Sequence, residues 1–202
     1  SPHALWAICL VFLGYVHLPI TNTDASKRSN LYIAGGIFAV CVPVYALYTL
    51  YFCQITMIHG DEGQYLRVTQ SLLHDGDMDL ANNLSGEQTN EFHVTNFAVD
   101  KAPASPEGKV HSVHPIGLSV ALMPAYQWGL AHWNNPRLAT ALFMALLASL
   151  CVPLTFLWLS ALRAEQWAAL LATAIMASTG PFFYFTNQLF PEIPALLIGL
   201  VA

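Results

Sequence analysis

From Leu31 to Ile58 the chain carries no Asp, Glu, Lys, Arg or His. A helix that crosses the hydrocarbon of a bilayer needs about 20 consecutive, predominantly apolar residues, and this run is longer. It ends at His59-Gly60-Asp61-Glu62, so two adjacent carboxylates emerge at, or just beyond, one face of the membrane. Ionisable groups next to hydrocarbon are costly and are usually kept for pairing, transport or chemistry. The residues that follow, to about Asn135, form the only extended polar block of the chain. That block is expected to be the working part.

The rest of the composition agrees. Hydrophobic residues make up 55% and charged ones 9%, with a mean hydropathy of +0.50, so the expected fold is all-α, a polytopic transmembrane helical protein. Seven Lys and Arg stand against twelve Asp and Glu with no basic run, which argues against a nucleic-acid footprint. Cys9, Cys41, Cys53 and Cys151 all lie in apolar runs, where cysteine behaves as a small hydrophobe, and suggest neither a disulfide framework nor a cysteine metal site. The chain starts at Ser1 and stops inside the apolar run Ile193–Ala202, half of a bilayer's requirement. It reads as the N-terminal part of a longer protein.

Spans are expected at about 4–20, 31–58, 138–162 and 167–189, with the start of another at 193. The first lacks the basic flank and small-residue cleavage site of a signal peptide. Lys27 and Arg28 lie in the loop between the first two, which the positive-inside rule places in the cytoplasm. The block 59–136 is then an extracytoplasmic loop. Within it, Gly63–His74 puts Tyr65, Leu66, Thr69, Leu72 and Leu73 roughly on one helical face, the pattern of an amphipathic helix lying on the membrane surface. Residues 77–108 have the composition of an irregular loop. Ile116–Trp133 is apolar but interrupted by Pro124 and Gly129. It reads either as a span or as an interfacial helix anchored by Tyr126, Trp128 and Trp133. The interfacial reading brings Glu192 to the same membrane face as Asp61 and is the one adopted.

The candidate chemistry starts with Asp61 and Glu62. They are either flanks that stop a span, or one of them is a general base whose partial desolvation moves it toward the working range. Adjacent side chains point differently, so the two are not expected to share one job, and Asp61 is taken as the base. His111 and His114, three apart, could share a helical face and with Asp61 suit zinc or manganese. Two histidines alone are a thin ligand set, so no metal or other cofactor is assigned; hydrogen bonding or phosphate binding is the preferred role. His59, His74 and His93 have no helpful spacing. Glu192, between Pro191 and Pro194, is an acid at a helix break that the prolines do not explain. No Gly-rich phosphate loop, Gly-x-Ser-x-Gly elbow or His-Glu-x-x-His stretch is present.

Gly60-Asp-Glu-Gly-Gln-Tyr-Leu-Arg67 and Leu72-Leu-His-Asp-Gly-Asp-Met-Asp79 resemble the first outer loop of polytopic C-type glycosyltransferases, family 39 and its relatives. That group includes the protein O-mannosyltransferases and the lipid A aminoarabinose transferase. The later order of His114-Pro115-Ile116, Pro136-Arg137-Leu138 and Pro191-Glu192-Ile193-Pro194 follows the same layout. The resemblance implies that Asp61 is the catalytic base and that Glu192 contributes to the site; Glu62, Tyr65, Arg67, His111 and His114 are taken with Glu192 as the candidate substrate-binding residues. The resemblance further implies a polyprenyl-phosphate-linked sugar donor, an acceptor hydroxyl or amine on a lipid, glycan or protein, inversion at the anomeric carbon, and a bacterial inner membrane with the site facing out. Relatives often carry arginine where Gln64 stands and lysine ahead of the proline where His114 stands. Both departures remove a permanent cation, for which protonated His114, Arg67, Lys101 or Lys109 would substitute. Two readings from other classes stay open: an ion-coupled transporter using Asp61 and Glu192, and a non-catalytic membrane subunit.

Overall fold

The computed structural model describes residues 24–58, 60–85, 91–92 and 108–202. The segment 4–20, His59, His93 and Lys101 lie outside the described residues. In chain order the helices are α1 (Asp24–Ile55), α2 (Glu62–His74), α3 (Ala81–Ser85), α4 (Gly117–Trp133), α5 (Pro136–Ala161), α6 (Gln166–Ser178), α7 (Gly180–Phe185) and α8 (Glu192–Val201). The protein is an all-α membrane protein. Among the described residues two helices, Ser26–Ile55 and Pro136–Ala161, are long and apolar enough to cross a bilayer. Val40, Val44, Leu171, Ile175 and Ile198 are exposed, an outward apolar surface that suits lipid and would be a liability in water.

The chain divides into two compact units. The first holds α1 up to Tyr45, α5 from Leu146, and α6, α7 and α8. Its dry centre is Ala34, Phe156, Leu157 and Ala169, flanked by Leu31, Ile33, Ile37 and Leu159. Residues 167–189, expected as one span, fold instead as α6 and α7 with an extended residue, Thr179, between them. The cause is Pro181, which has no N–H to give and whose ring would strike the carbonyl four residues back. That carbonyl belongs to Ala177, and it accepts a hydrogen bond from the Tyr45 hydroxyl at 3.0 Å. Tyr45 also meets Phe182 and Phe183, with ring centroids 6.3 and 5.8 Å away.

The second unit holds residues 46–145 and 187–191. Its centre is α2, and here too expectation and structure part. An amphipathic surface helix buries one face, yet every residue of α2 from Glu62 to Ser71 is buried. The polar side is enclosed because most of its groups find a protein partner, as burial demands. Thr69 Oγ1 donates to the carbonyls of Tyr65 and Ser119, and Ser119 Oγ donates back to Tyr65 O, which joins α2 to α4. Gln70 Nε2 and the Tyr126 hydroxyl both donate to Glu91 Oε2, at 3.0 and 2.6 Å, and His74 lies 2.8 Å from Glu91 Oε1.

The turn between α4 and α5 follows from Asn134-Asn135-Pro136. Asn134 is left-handed, φ 48°, and ends α4. Asn135 Oδ1 accepts the Leu138 N–H at 3.0 Å, and Pro136 takes the first helical position, where its missing N–H costs nothing. The loop before α4 is held at Asp79, whose Oδ1 accepts the N–H groups of Ala81 and Val110. These bonds hold the Asp79 carboxyl below its ordinary value, because they favour the charged form.

Candidate active site

The carboxylate pair sits where α1 ends and α2 begins. Gly60 makes the bend with φ +57°, a conformation that costs glycine little. Asp61 and Glu62 then leave the chain in different directions. Asp61 flanks the first turn of α2, its carbonyl accepting the Gln64 and Tyr65 N–H groups, while its side chain stays 44% exposed. Glu62 is only 3% exposed at its side chain.

Arg137, second residue of α5, accounts for Glu62. Its Nε donates to Glu62 Oε1 at 3.1 Å and its Nη2 to Oε2 at 3.4 Å. Nη1 donates to Thr56 O at 2.6 Å, and Nη2 to Met57 O at 3.1 Å and Thr56 Oγ1. One guanidinium therefore ties the carbonyls just past α1, the acid in the first turn of α2 and the start of α5. The signs suit the helix ends, a cation beside the carbonyls that follow α1 and an anion at the positive end of α2. A planar fork can make all of these bonds at once, which an ammonium cannot.

With Glu62 neutralised below, the groups left near the surface are Asp61 and His114. Their Oδ1 and Nε2 are 3.5 Å apart, and the His114 side chain is 22% exposed. Ser112 sets the approach: its hydroxyl donates to Gln64 Oε1 at 3.1 Å and accepts the His114 N–H at 3.1 Å. The imidazole lies tilted against Tyr65, centroids 5.5 Å apart. The arrangement offers a carboxylate able to take a proton, a neighbouring imidazole able to carry positive charge, and a wall of Tyr65, Gln64 and Ser112.

The other candidates lie elsewhere. Arg67 is 4% exposed; Nη1 donates to Gln70 Oε1 and Asn83 O, and the guanidinium lies 4.9 Å over the Phe92 ring. Burial lowers its basicity. His111 is in contact with the carbonyl of Met78 through Nδ1 at 3.0 Å. Lys109 is exposed. Glu192 opens α8 in the first unit and is exposed. Among the described residues no group of three His, Cys, Asp or Glu could hold a metal.

Residues 124–202 match the family model described as dolichyl-phosphate-mannose-protein mannosyltransferase. The match covers less than half of the chain, and over that stretch the chain is similar to membrane glycosyltransferases of the C type. No curated protein and no solved structure matches it.

The matched stretch begins within α4 and runs through α8. It includes Arg137 and Glu192, while Asp61, Glu62, Tyr65 and His114 precede it. Ser112, Gln64 and Arg137 belong to the site's surroundings and went unassigned in the sequence. For Arg137 a signal existed: it is the only Lys or Arg between Lys109 and Arg163, at the head of a span, where a charge needs a partner. For Ser112 there was none, since an ordinary polar residue in a polar block carries no spacing cue, and Gln64 stood out only as a departure from the pattern of the resembled family.

Proposed function

We propose that the protein transfers a sugar from a polyprenyl-phosphate donor to an acceptor hydroxyl or amine on the extracytoplasmic side of a bacterial inner membrane, with Asp61 as general base. The observation that carries this reading is the division of labour in the carboxylate pair. Glu62 is bound on both oxygens by Arg137, whereas Asp61 is accessible and faces His114.

In the reaction the acceptor O–H or N–H gives its proton to the Asp61 carboxylate as its lone pair forms a bond to the anomeric carbon. The bond from that carbon to the phosphate oxygen breaks, and its electron pair leaves with the polyprenyl phosphate. Attack from the face opposite the phosphate inverts the centre. A phosphate is a good leaving group without an acid catalyst, so the protein positions the acceptor, removes its proton and stabilises departing charge. His114, protonated, is a cation 3.5 Å from the base, and Tyr65, itself buried, backs its imidazole. Lys109, beyond Ser112, is a second phosphate contact. Arg67, enclosed by Gln70, Asn83 and Phe92, supports the helix that carries these groups. Glu192, an exposed acid on the matched stretch, is assigned to substrate on the resemblance alone.

Membranes carrying the full-length protein, given labelled polyprenyl-phosphate sugars, test the reading. Asp61→Asn at matched expression is expected to lower transfer about 10²-fold or more, the usual loss for a general base. Unchanged transfer in that variant removes Asp61 from the chemistry.

A further inference from the structure

The first turns of α1, the last turn of α5 and the start of α6 enclose a cavity of about 450 Å³, lined by Ser26, Ser29, Asn30, Ser160, Arg163 and Gln166, with Ala164. Directly beneath it, on the same three helices, lies the dry cluster of Ala34, Phe156, Leu157 and Ala169. The lining is therefore polar where the helices stop packing and apolar where they touch. Around the same level Tyr32, Trp158, Leu162 and Trp167 are exposed by 81, 45, 63 and 65%. Tryptophan and tyrosine so exposed on membrane helices mark the interface between hydrocarbon and headgroups. The cavity accordingly opens at headgroup depth.

By sequence, Lys27, Arg28 and Arg163 stand against Asp24 and Glu165 around the cavity, a balance of one positive charge. Arg163 lines it and Lys27 and Arg28 lie on the same turns of α1. The nearby acid Glu165 accepts the indole N–H of Trp167.

The backbone at Arg163 adds a second, independent sign. α5 ends in a Schellman motif, with Ala164 N–H bonded to Leu159 O and Arg163 N–H to Ser160 O. The left-handed residue of that motif is usually glycine; here it is Arg163, φ 61°. A residue with a Cβ is disfavoured in this conformation, so the position keeps a guanidinium at the expense of backbone comfort, and that guanidinium borders the cavity.

We infer that this cavity binds a phosphate ester, presented by the headgroup of an anionic phospholipid in the leaflet on the Lys27–Arg28 side. Arg163 contacts the phosphate, and Ser26, Ser29, Asn30, Ser160 and Gln166 satisfy its oxygens and the headgroup hydroxyls. The cavity volume exceeds that of a bare phosphate and admits a phosphoglycerol group. The site is separate from the proposed transfer chemistry and does not depend on it.

The test uses the full-length protein, delipidated in detergent, with phosphatidylglycerol, phosphatidylcholine, glycerol 3-phosphate and inorganic phosphate as probes. Binding is read by native mass spectrometry and by the shift in thermal midpoint. Arg163→Gly is the informative variant, because glycine accepts φ 61° and the fold is expected to hold or gain. The expected result is retention of phosphatidylglycerol over phosphatidylcholine, with affinity falling about fivefold or more in Arg163→Gly at an unchanged or higher midpoint without lipid. Competition by glycerol 3-phosphate at the lipid's own concentration would keep the phosphate site and overturn its lipid source. Equal phosphatidylglycerol binding by both proteins, or no preference over phosphatidylcholine, would overturn the inference.

Discussion

Asp61 and Glu62 differ by one methylene and one position, yet their surroundings separate them. The sequence allows that far: neighbours on a helix entry point apart, so one job for both is unexpected. It does not say which is locked, because the deciding partner, Arg137, lies 75 residues on. The structure makes the difference quantitative. Removing one member of a buried, hydrogen-bonded ion pair costs about 3–5 kcal/mol, since the other charge is left uncompensated. Glu62→Gln and Arg137→Gln are each expected to lower stability by that order, measured as thermal midpoint in detergent. Asp61→Asn, at a half-exposed position, is expected to stay within about 0.5 kcal/mol of the parent. A large stability loss in Asp61→Asn would mean that its effect on transfer reports folding.

At the scale of helices, legibility follows the range of the interactions. The turn Asn134-Asn135-Pro136 is local, and the three residues already state an end, a cap and a beginning. Pro181 likewise breaks 167–189 for a local reason. The environment of α2 is not local: Thr69 meets Ser119 fifty residues away, and Gln70 meets Glu91 twenty-one away. Periodicity therefore gives a helix there but misstates its surroundings as half water. A close approach of α4 to the start of α5 is also hidden. A Cβ built on Gly129 would lie 2.3 Å from Ala139 Cβ and 2.9 Å from the Asn135 carbonyl oxygen, and neither atom is the end of a flexible side chain. Gly129→Ala is expected to cost about 1–3 kcal/mol as overpacking, lowering the thermal midpoint and opening α4 from α5. A midpoint equal to the parent's would show that the turn gives way freely.

For the whole molecule, the membrane class is written in composition and in the two long apolar helices, and the family match accords with the resemblance. Sidedness rests on two basic residues, Lys27 and Arg28, and is testable apart from any chemistry. With the native cysteines replaced, Lys109→Cys is expected to react with a membrane-impermeant maleimide in intact cells, and Ser26→Cys only after permeabilisation. The reverse pattern would turn the proposed orientation over. The Arg137 clasp has a further meaning in biosynthesis. Glu62 is made 75 residues before the arginine that neutralises it, a delay of about 4–15 s at translation rates of ~5–20 residues per second. Throughout that interval the nascent chain holds a bare acid and two uncapped carbonyls at the membrane edge. Arrival of α5 closes the ring, so the junction of α1 and α2 becomes a finished object only when α5 has begun.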